Sequence, residues 1–289
     1  MFDIYLTLIA RGLSTGAIYG LTAMGIVLIF QTNNILNWAQ GNAGMFITYL
    51  AFFLLALQLP YPLVILLAII AGAIMGGLVE KYLIRPVREK SRIGLLMITL
   101  GLAMVFEGLA AFIFRPFPRN FEPLLKGSIA IGPITLGQQD VLVIVLSTLI
   151  FASLFLILYR TKIGIGARGI AEDWYGARVL GVPVFTISLI IWSISFALSG
   201  LVGILIVPRF ALEPHFMLPI QVKAFSAAVL GGMNSVLGAA VAGLLLGVME
   251  NIIAFHFPYL QESFSLVLVV IVLLFLPTGL FGKKTQRRF

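Results

Sequence analysis

Chemistry in this chain is confined to few side chains. Among 289 residues there are 19 Lys or Arg, 11 Asp or Glu, 2 His and no Cys. No Ser/His/Asp set stands at a recognisable spacing, and H-E-x-x-H does not occur. Nor does G-x-x-x-x-G-K-[ST]; "GLFGKK" from Gly279 has the wrong spacing, so ATP-driven work would need another chain. Without cysteine there are no disulfides or thiolate metal sites. What remains are polar residues stranded in apolar sequence. Glu107 sits inside "GLAMVFEGLAAFIF". An ionisable group there costs several kcal/mol unless paired or hydrated, which suits either a passage residue or a structural hydrogen bond. The stretch "QTNNILNWAQGNAGM", Gln31 to Met45, holds Asn33, Asn34, Asn37, Gln40 and Asn42 but no charge. Amides donate and accept, so this break suits the wall of a passage for a polar or zwitterionic solute as well as a short interfacial loop. Asn34, Asn37, Gln40, Asn42 and Glu107 are therefore passage candidates. Glu250 with Asn251 reads as solvated near the outer end of a run, and His215 and His256 as bland end residues.

The elements that must position these groups are membrane helices. The chain is 61% hydrophobic and 10% charged, with mean hydropathy +1.10. A soluble domain carries about 25% charged residues. Apolar segments lie at about 5–30, 41–57, 62–80, 93–114, 140–159, 183–207, 222–254 and 263–281. A span needs about 20 apolar residues with its backbone paired internally, and strand-type alternation is missing. The expected fold is all-α: a polytopic transmembrane bundle of about eight segments in one domain covering 1–289. The start "MFDIYLTLIA" lacks a basic n-region and reads as the first span, not a signal peptide. The net charge of +8 is distributed in loops and is a topology signal, not a nucleic-acid one.

Lys81, Arg85, Arg88, Lys90 and Arg92 fill one connection, and Arg160, Lys162, Arg168 and Arg178 another. Lys283, Lys284, Arg287 and Arg288 end the chain. The positive-inside rule makes all three cytoplasmic and the Pro/Gly-rich loop 115–139 external, which puts the N-terminus outside. Parity then requires 222–254 to begin and end outside. Its break at "GGMNS", Gly231 to Ser235, predicts a half-helix, a turn and a returning helix, with Gly231, Gly232 and Ser235 as cavity-lining candidates. A single long tilted helix is the simpler alternative. Gly12, Gly16 and Gly20, Gly72 and Gly76, and Gly243 and Gly247 recur at four-residue spacing, as helices in close contact require.

The polar insert "GIGARGIAEDWYGARVLGVP", 164–183, is longer than a connection needs. Ala167 to Leu180 is compatible with one short helix, with Glu172 and Asp173 near its front, Arg178 near its end and Gly181–Pro183 as a stop. Ala171, Trp174 or Tyr175, Val179 and Leu180 would form an apolar stripe, suited to a partner protein or to lipid headgroups.

Here a resemblance enters. "ARGIAEDWYGARVLGVPV" resembles the cytoplasmic coupling loop of permeases from the branched-chain amino acid (Leu/Ile/Val) ABC importers, through Arg168, Ala171, Glu172, Ala177, Leu180 and Gly181. "NWAQG" resembles the family's Asn-Phe-Ala-(His/Gln)-Gly turn through Asn37, Ala39, Gln40 and Gly41. "KAFSAAVLGGMNSVLGAA" resembles its late block through Lys223, Ala224, Phe225, Gly231, Gly232, Ser235, Gly238 and Ala239. The three blocks occur in family order and span most of the chain.

The resemblance implies a non-enzymatic transport subunit of a bacterial cytoplasmic (inner) membrane, with its C-terminus in the cytoplasm. It implies a second homologous permease, two ABC ATPase subunits that bind ATP and Mg, and an extracytoplasmic solute-binding protein, and neither cofactor nor metal in this chain. It makes 160–182 the coupling loop, with Arg168, Ala171, Glu172, Asp173, Ala177, Leu180 and Gly181 receiving the ATPases. The implied substrates are branched-chain or related amino acids. Urea, short amides or other small polar solutes are the same-family alternative, and an ATPase-independent channel or carrier the more distant one. Asn42 stands where many relatives have an acidic residue, Glu107 where they carry an amide, and Trp38 where Phe is commoner; all three changes surround the proposed passage.

Overall fold

The structure, a computed structural model, describes residues 2–132 and 134–282; the basic tail that oriented the chain lies outside them. The helices are α1 (Phe2–Asn33), α2 (Ala39–Ala56), α3 (Tyr61–Val79), α4 (Arg92–Phe114), α5 (Gln138–Arg160), α6 (Lys162–Glu172), α7 (Trp174–Val179), α8 (Val184–Ile206), α9 (Leu218–Gly231), α10 (Val236–His256) and α11 (Gln261–Phe275). A π-helical turn, Glu80–Ile84, continues α3. Among the described residues, eight helices are long and apolar enough to cross a membrane, as the hydropathy of the sequence requires.

The Pro/Gly-rich loop 115–139 contains a small antiparallel hairpin. β1 (Ser128–Ile131) pairs with β2 (Ile134–Gly137), with Ile129 opposite Leu136 and Ala130 opposite Thr135. Ser-Ile-Ala-Ile and Ile-Thr-Leu-Gly are two four-residue runs separated in sequence by Gly-Pro, a hairpin signal too short to stand out beside long apolar runs.

The chain forms two compact units. One comprises the chain up to Val27, Leu125–Ala152 and the residues from Val222 onward; the other comprises Leu28–Leu124 and Ser153–Gln221.

In the first unit, α1 and α10 pack backbone to backbone. A Cβ on Gly12 would lie 2.6 Å from the Cα of Val248, and one on Gly16 would lie 2.7 Å from the carbonyl of Gly243. Gly243 and Gly247 present the reciprocal surface to Gly20 and Gly16. This is the small-residue packing that the four-residue spacing predicts. The segment 222–254 breaks where expected. Gly231 ends α9, Gly232 takes φ +98°, and Ser235 caps α10 by accepting from Gly238 N–H at 3.0 Å. At about 1.5 Å per residue, the 14 residues of α9 reach only about 21 Å. The residues after α11 fold back on this turn: Leu280 N–H donates to the carbonyl of Leu230 at 2.8 Å and Phe281 N–H to that of Gly231 at 3.2 Å. α11 therefore stops at Phe275, short of the apolar run that extends to 281.

In the second unit, α8 is the central pillar. Gly72 and Gly76 of α3 seat against Ala197, Phe196 and Trp192, while Gly44 of α2 meets Ser199. Trp192, Tyr49 and Phe196 are the largest fully buried side chains.

Candidate functional site

The polar insert folds as two helices, not one. Thr161 caps α6 by accepting from Gly164 N–H at 3.3 Å, and α6 buries Gly164, Gly166, Ala167 and Ile170. The backbone then turns extended at Asp173 (φ −150°, ψ 108°), and the Asp173 carboxylate accepts from Tyr175 N–H at 3.0 Å to start α7. Asp-Trp-Tyr-Gly is thus a cap followed by a new first turn. The continuous helix expected from Ala167 to Leu180 ignored the capping preference of Asp173, which wins over helix propensity here.

The end of α7 is sharply defined. Gly181 has φ +82°, its N–H donates to Arg178 O at 3.1 Å, and Val182 N–H donates to Ala177 O at 3.0 Å. This pair of bonds is a Schellman motif. It holds out an apolar tip: Val179 is 87% and Leu180 84% exposed, with Tyr175 at 69%. Beside the tip, an open groove of about 680 Å³ runs between α6, α7 and the first turns of α8, lined by residues including Ile165, Gly169, Gly176, Leu180 and Ile190. Lys162, Glu172 and Asp173 also line it.

Of the expected coupling residues, Glu172, Asp173, Ala177 and Leu180 therefore meet around one groove. Ala171 and Gly181 are exposed close by in sequence, and Ala177 is buried. Arg168 instead stacks over the ring of Tyr159, 4.9 Å from its centroid. Trp174 does not share the outer stripe with Tyr175. It turns inward, its ring edge-on to Phe185 at 6.2 Å. Behind it stand basic groups that sequence reading treated as topology markers and, for Arg178, as a helix-end charge. Arg88 lies 5.2 Å and Arg178 5.4 Å from the Trp174 ring, and Arg178 pairs with Glu89 at 2.9 Å. Burial draws the Arg88 guanidinium down to about 10, a shift that Glu80 and Glu89 oppose and Arg85 reinforces.

The amide-rich break is equally well ordered but turned inward. Asn34 has φ +55° and its N–H closes α1 on Phe30 O at 2.7 Å, so it is the left-handed residue that ends the helix. Asn37 is fully buried; its Oδ1 accepts from Ala39 N–H at 3.1 Å, while its Nδ2 has no partner. Gln40 is fully buried, and Asn42 Nδ2 donates to Ala103 O at 2.8 Å, fastening α2 to α4. Gln221, which sequence reading missed, organises the break. Its Oε1 accepts from Gly41 N–H and its Nε2 donates to Trp38 O, both at 2.8 Å. Its distance of 180 residues from Gly41 explains why no local signal showed it. Gly231, Gly232 and Ser235 belong to the other unit, in the α9–α10 turn.

Two carboxylates have neighbours that the sequence did not name, and for Glu250 the expected solvation does not hold. Glu107 is part-exposed on α4 and lies 3.5 Å from Nδ1 of His215, so that histidine has a carboxylate neighbour. Glu250 is not solvated: it is 1% exposed, ion-paired with Lys223, and accepts from Gln261 Nε2 at 3.4 Å. Lys223 of α9 and Gln261 of α11 both reach Glu250, which apolar-run boundaries alone do not reveal.

Eight helices long and apolar enough to cross a membrane, among the described residues, give the chain the makeup of a multi-pass membrane protein. The family described as "branched-chain amino acid transport system / permease component" matches residues 8–276, and the chain belongs to it. It is 28% identical to the high-affinity branched-chain amino acid transport system permease protein BraD of Pseudomonas aeruginosa, covering 96% of each chain. The corresponding LivH protein of Escherichia coli is 25% identical across 98% of this chain and 97% of its own length. The probable LivH of Methanocaldococcus jannaschii is 29% identical across 92% and 90%.

Proposed function

We propose that this chain is the transmembrane permease of an ABC importer that carries branched-chain or related amino acids into the cytoplasm, with its two units acting as one domain. The observation that carries the reading is the Val179–Leu180 tip, two large aliphatic side chains held almost wholly in solvent by a Schellman cap. Such a tip suits a groove on another protein. With no P-loop in this chain, that protein is an ABC ATPase supplying ATP and Mg. A second homologous permease and an external solute-binding protein complete the importer in a bacterial cytoplasmic membrane, with the tip and the chain's C-terminus on the cytoplasmic side. ATP binding moves the permease only if ATPase closure favours one of its conformations. Ala171, Glu172, Asp173, Leu180 and Gly181 form the receiving surface, with Ala177 buried beneath it and Arg168 bracing α6. Near the opposite end, the part-exposed Glu107 carboxylate beside His215 is the passage group best placed to meet a solute ammonium.

The test is reconstitution in liposomes with the second permease, both ATPases and the binding protein, followed by uptake of labelled leucine, isoleucine and valine. ATP-dependent uptake that vanishes without the ATPases is expected. Uptake that proceeds without them would sink the reading.

A further inference from the structure

The basic residues behind α7 form a connected assembly. Trp174, the first residue of α7, is approached by the guanidinium groups of Arg88 and Arg178. Its ring meets Phe185, in the first turn of α8, at an interplanar angle of 78°. Phe185 is in turn approached by Arg178 at 5.6 Å and Arg85 at 5.1 Å, and its carbonyl accepts from Arg85 Nη2 at 3.3 Å. Arg85 pairs at 2.9 Å with Glu80, which is fully buried and opens the π-helical turn below α3. Arg88 Nη2 donates to the carbonyl of Thr32 in the last turn of α1. Two aromatic rings and three guanidinium groups thus join the ends of α1 and α3, the α3–α4 connection, α7 and the start of α8.

Two properties set this assembly apart from a simple brace. Cation–aromatic contacts are worth about 0.5–2 kcal/mol each and tolerate sliding across the ring face, unlike a bidentate ion pair. The assembly also holds buried polar atoms without partners: Trp174 Nε1, Arg88 Nη1, Arg85 Nε and Glu80 Oε1. Buried polar groups are normally satisfied, so spare donors and an acceptor in one cluster leave bonds to be made in a second arrangement. π-helical turns are themselves concentrated at functional sites.

We propose that Trp174 is the joint of this permease: movement imposed on α7 passes through the Arg88–Trp174–Arg178 stack and Phe185 to the π-turn of α3 and the end of α1. The inference rests on the ATPase-docking reading of α7 but assigns a different job to a different residue. Leu180 receives the partner, and Trp174 converts its motion into a rearrangement of the spans.

The experiment uses the complete importer in proteoliposomes. It measures co-purification of the ATPases, ATP hydrolysis and leucine uptake, and takes the ratio of solute moved to ATP consumed. For Trp174→Ala the ATPases still co-purify while the ratio falls about tenfold; Trp174→Phe restores most of it. Arg178→Ala, at a half-exposed position, lowers the ratio about threefold. A ratio equal to wild type in Trp174→Ala or Arg178→Ala overturns the joint, as does loss of ATPase binding in step with uptake in Arg178→Ala. Should Trp174→Ala fail to assemble, Arg178→Ala decides alone. Leu180→Asp keeps the two readings apart: normal assembly and uptake in that variant defeats the docking reading, whereas its failure alongside an unaffected Trp174→Ala defeats only the joint.

Discussion

The breaks at Gln31–Asn42 and Lys162–Gly181 are both polar interruptions within the same unit, and they solve opposite problems. The first turns its polar groups inward: Asn37 and Gln40 are fully buried, and Gln221 satisfies Gly41 and Trp38 from a distant part of the chain. The second turns apolar groups outward, with Val179 and Leu180 in solvent. A polar break in an oily sequence therefore marks an interruption, but not its purpose. The inward break consumes its hydrogen bonds in closing a connection. The outward break spends its caps, Asp173 and Gly181, on presenting a surface.

Substitutions test this contrast by separating transport from stability. Leu180→Asp is expected to lower uptake about thirtyfold or more, as loss of an interface hot spot does. It should leave thermal stability of the purified permease within about 0.5 kcal/mol, because the site is exposed. Gln221→Leu should do the reverse. It leaves the Gly41 N–H and the Trp38 carbonyl without their partner and costs about 1–3 kcal/mol, read as a lower unfolding temperature in detergent. Asn42→Ala removes one bond to Ala103 and should cost about 1 kcal/mol by the same assay. Asn34→Gly should be the mildest, within about 0.5 kcal/mol and without effect on uptake, because glycine accepts the left-handed backbone that Asn34 already adopts. A large transport defect in Asn34→Gly with unchanged stability would erase the contrast and return the amide break to the passage.

Much of the architecture was legible because hydropathy and small-residue spacing are local signals. The close-packing faces at Gly12, Gly16 and Gly20 and at Gly243 and Gly247, and the break at Gly231–Ser235, followed from them; that the first two faces meet each other did not. Asp173 could have been recognised as a cap, since Asp before Trp-Tyr-Gly-Ala opens a first turn as well as it continues a helix. Gln221, the Glu107–His215 contact and the Lys223–Glu250 pair had no local signature; each depends on which helices become neighbours. Arg88 and Arg178 were visible, but as loop and helix-end charge. That they stack on Trp174 is a property of the fold, since a topology signal and a contact surface use the same residue type.

The Lys223–Glu250 pair has a consequence for how the protein is made. Glu250 follows Lys223 by 27 residues, so the growing chain delivers the cation to the translocon well before its anion. A lysine at the centre of an inserting helix carries an apparent penalty of about 2.5–3.5 kcal/mol, and α9 is too short to offset it as a stable stop. The N–H groups of Leu280 and Phe281 that clasp its far end arrive later still. The expected outcome is that α9 seats late, after the last helices emerge. Chains truncated near Gly247 and released into membranes should expose Lys223 to water-soluble amine reagents, and chains that include Leu280 should protect it.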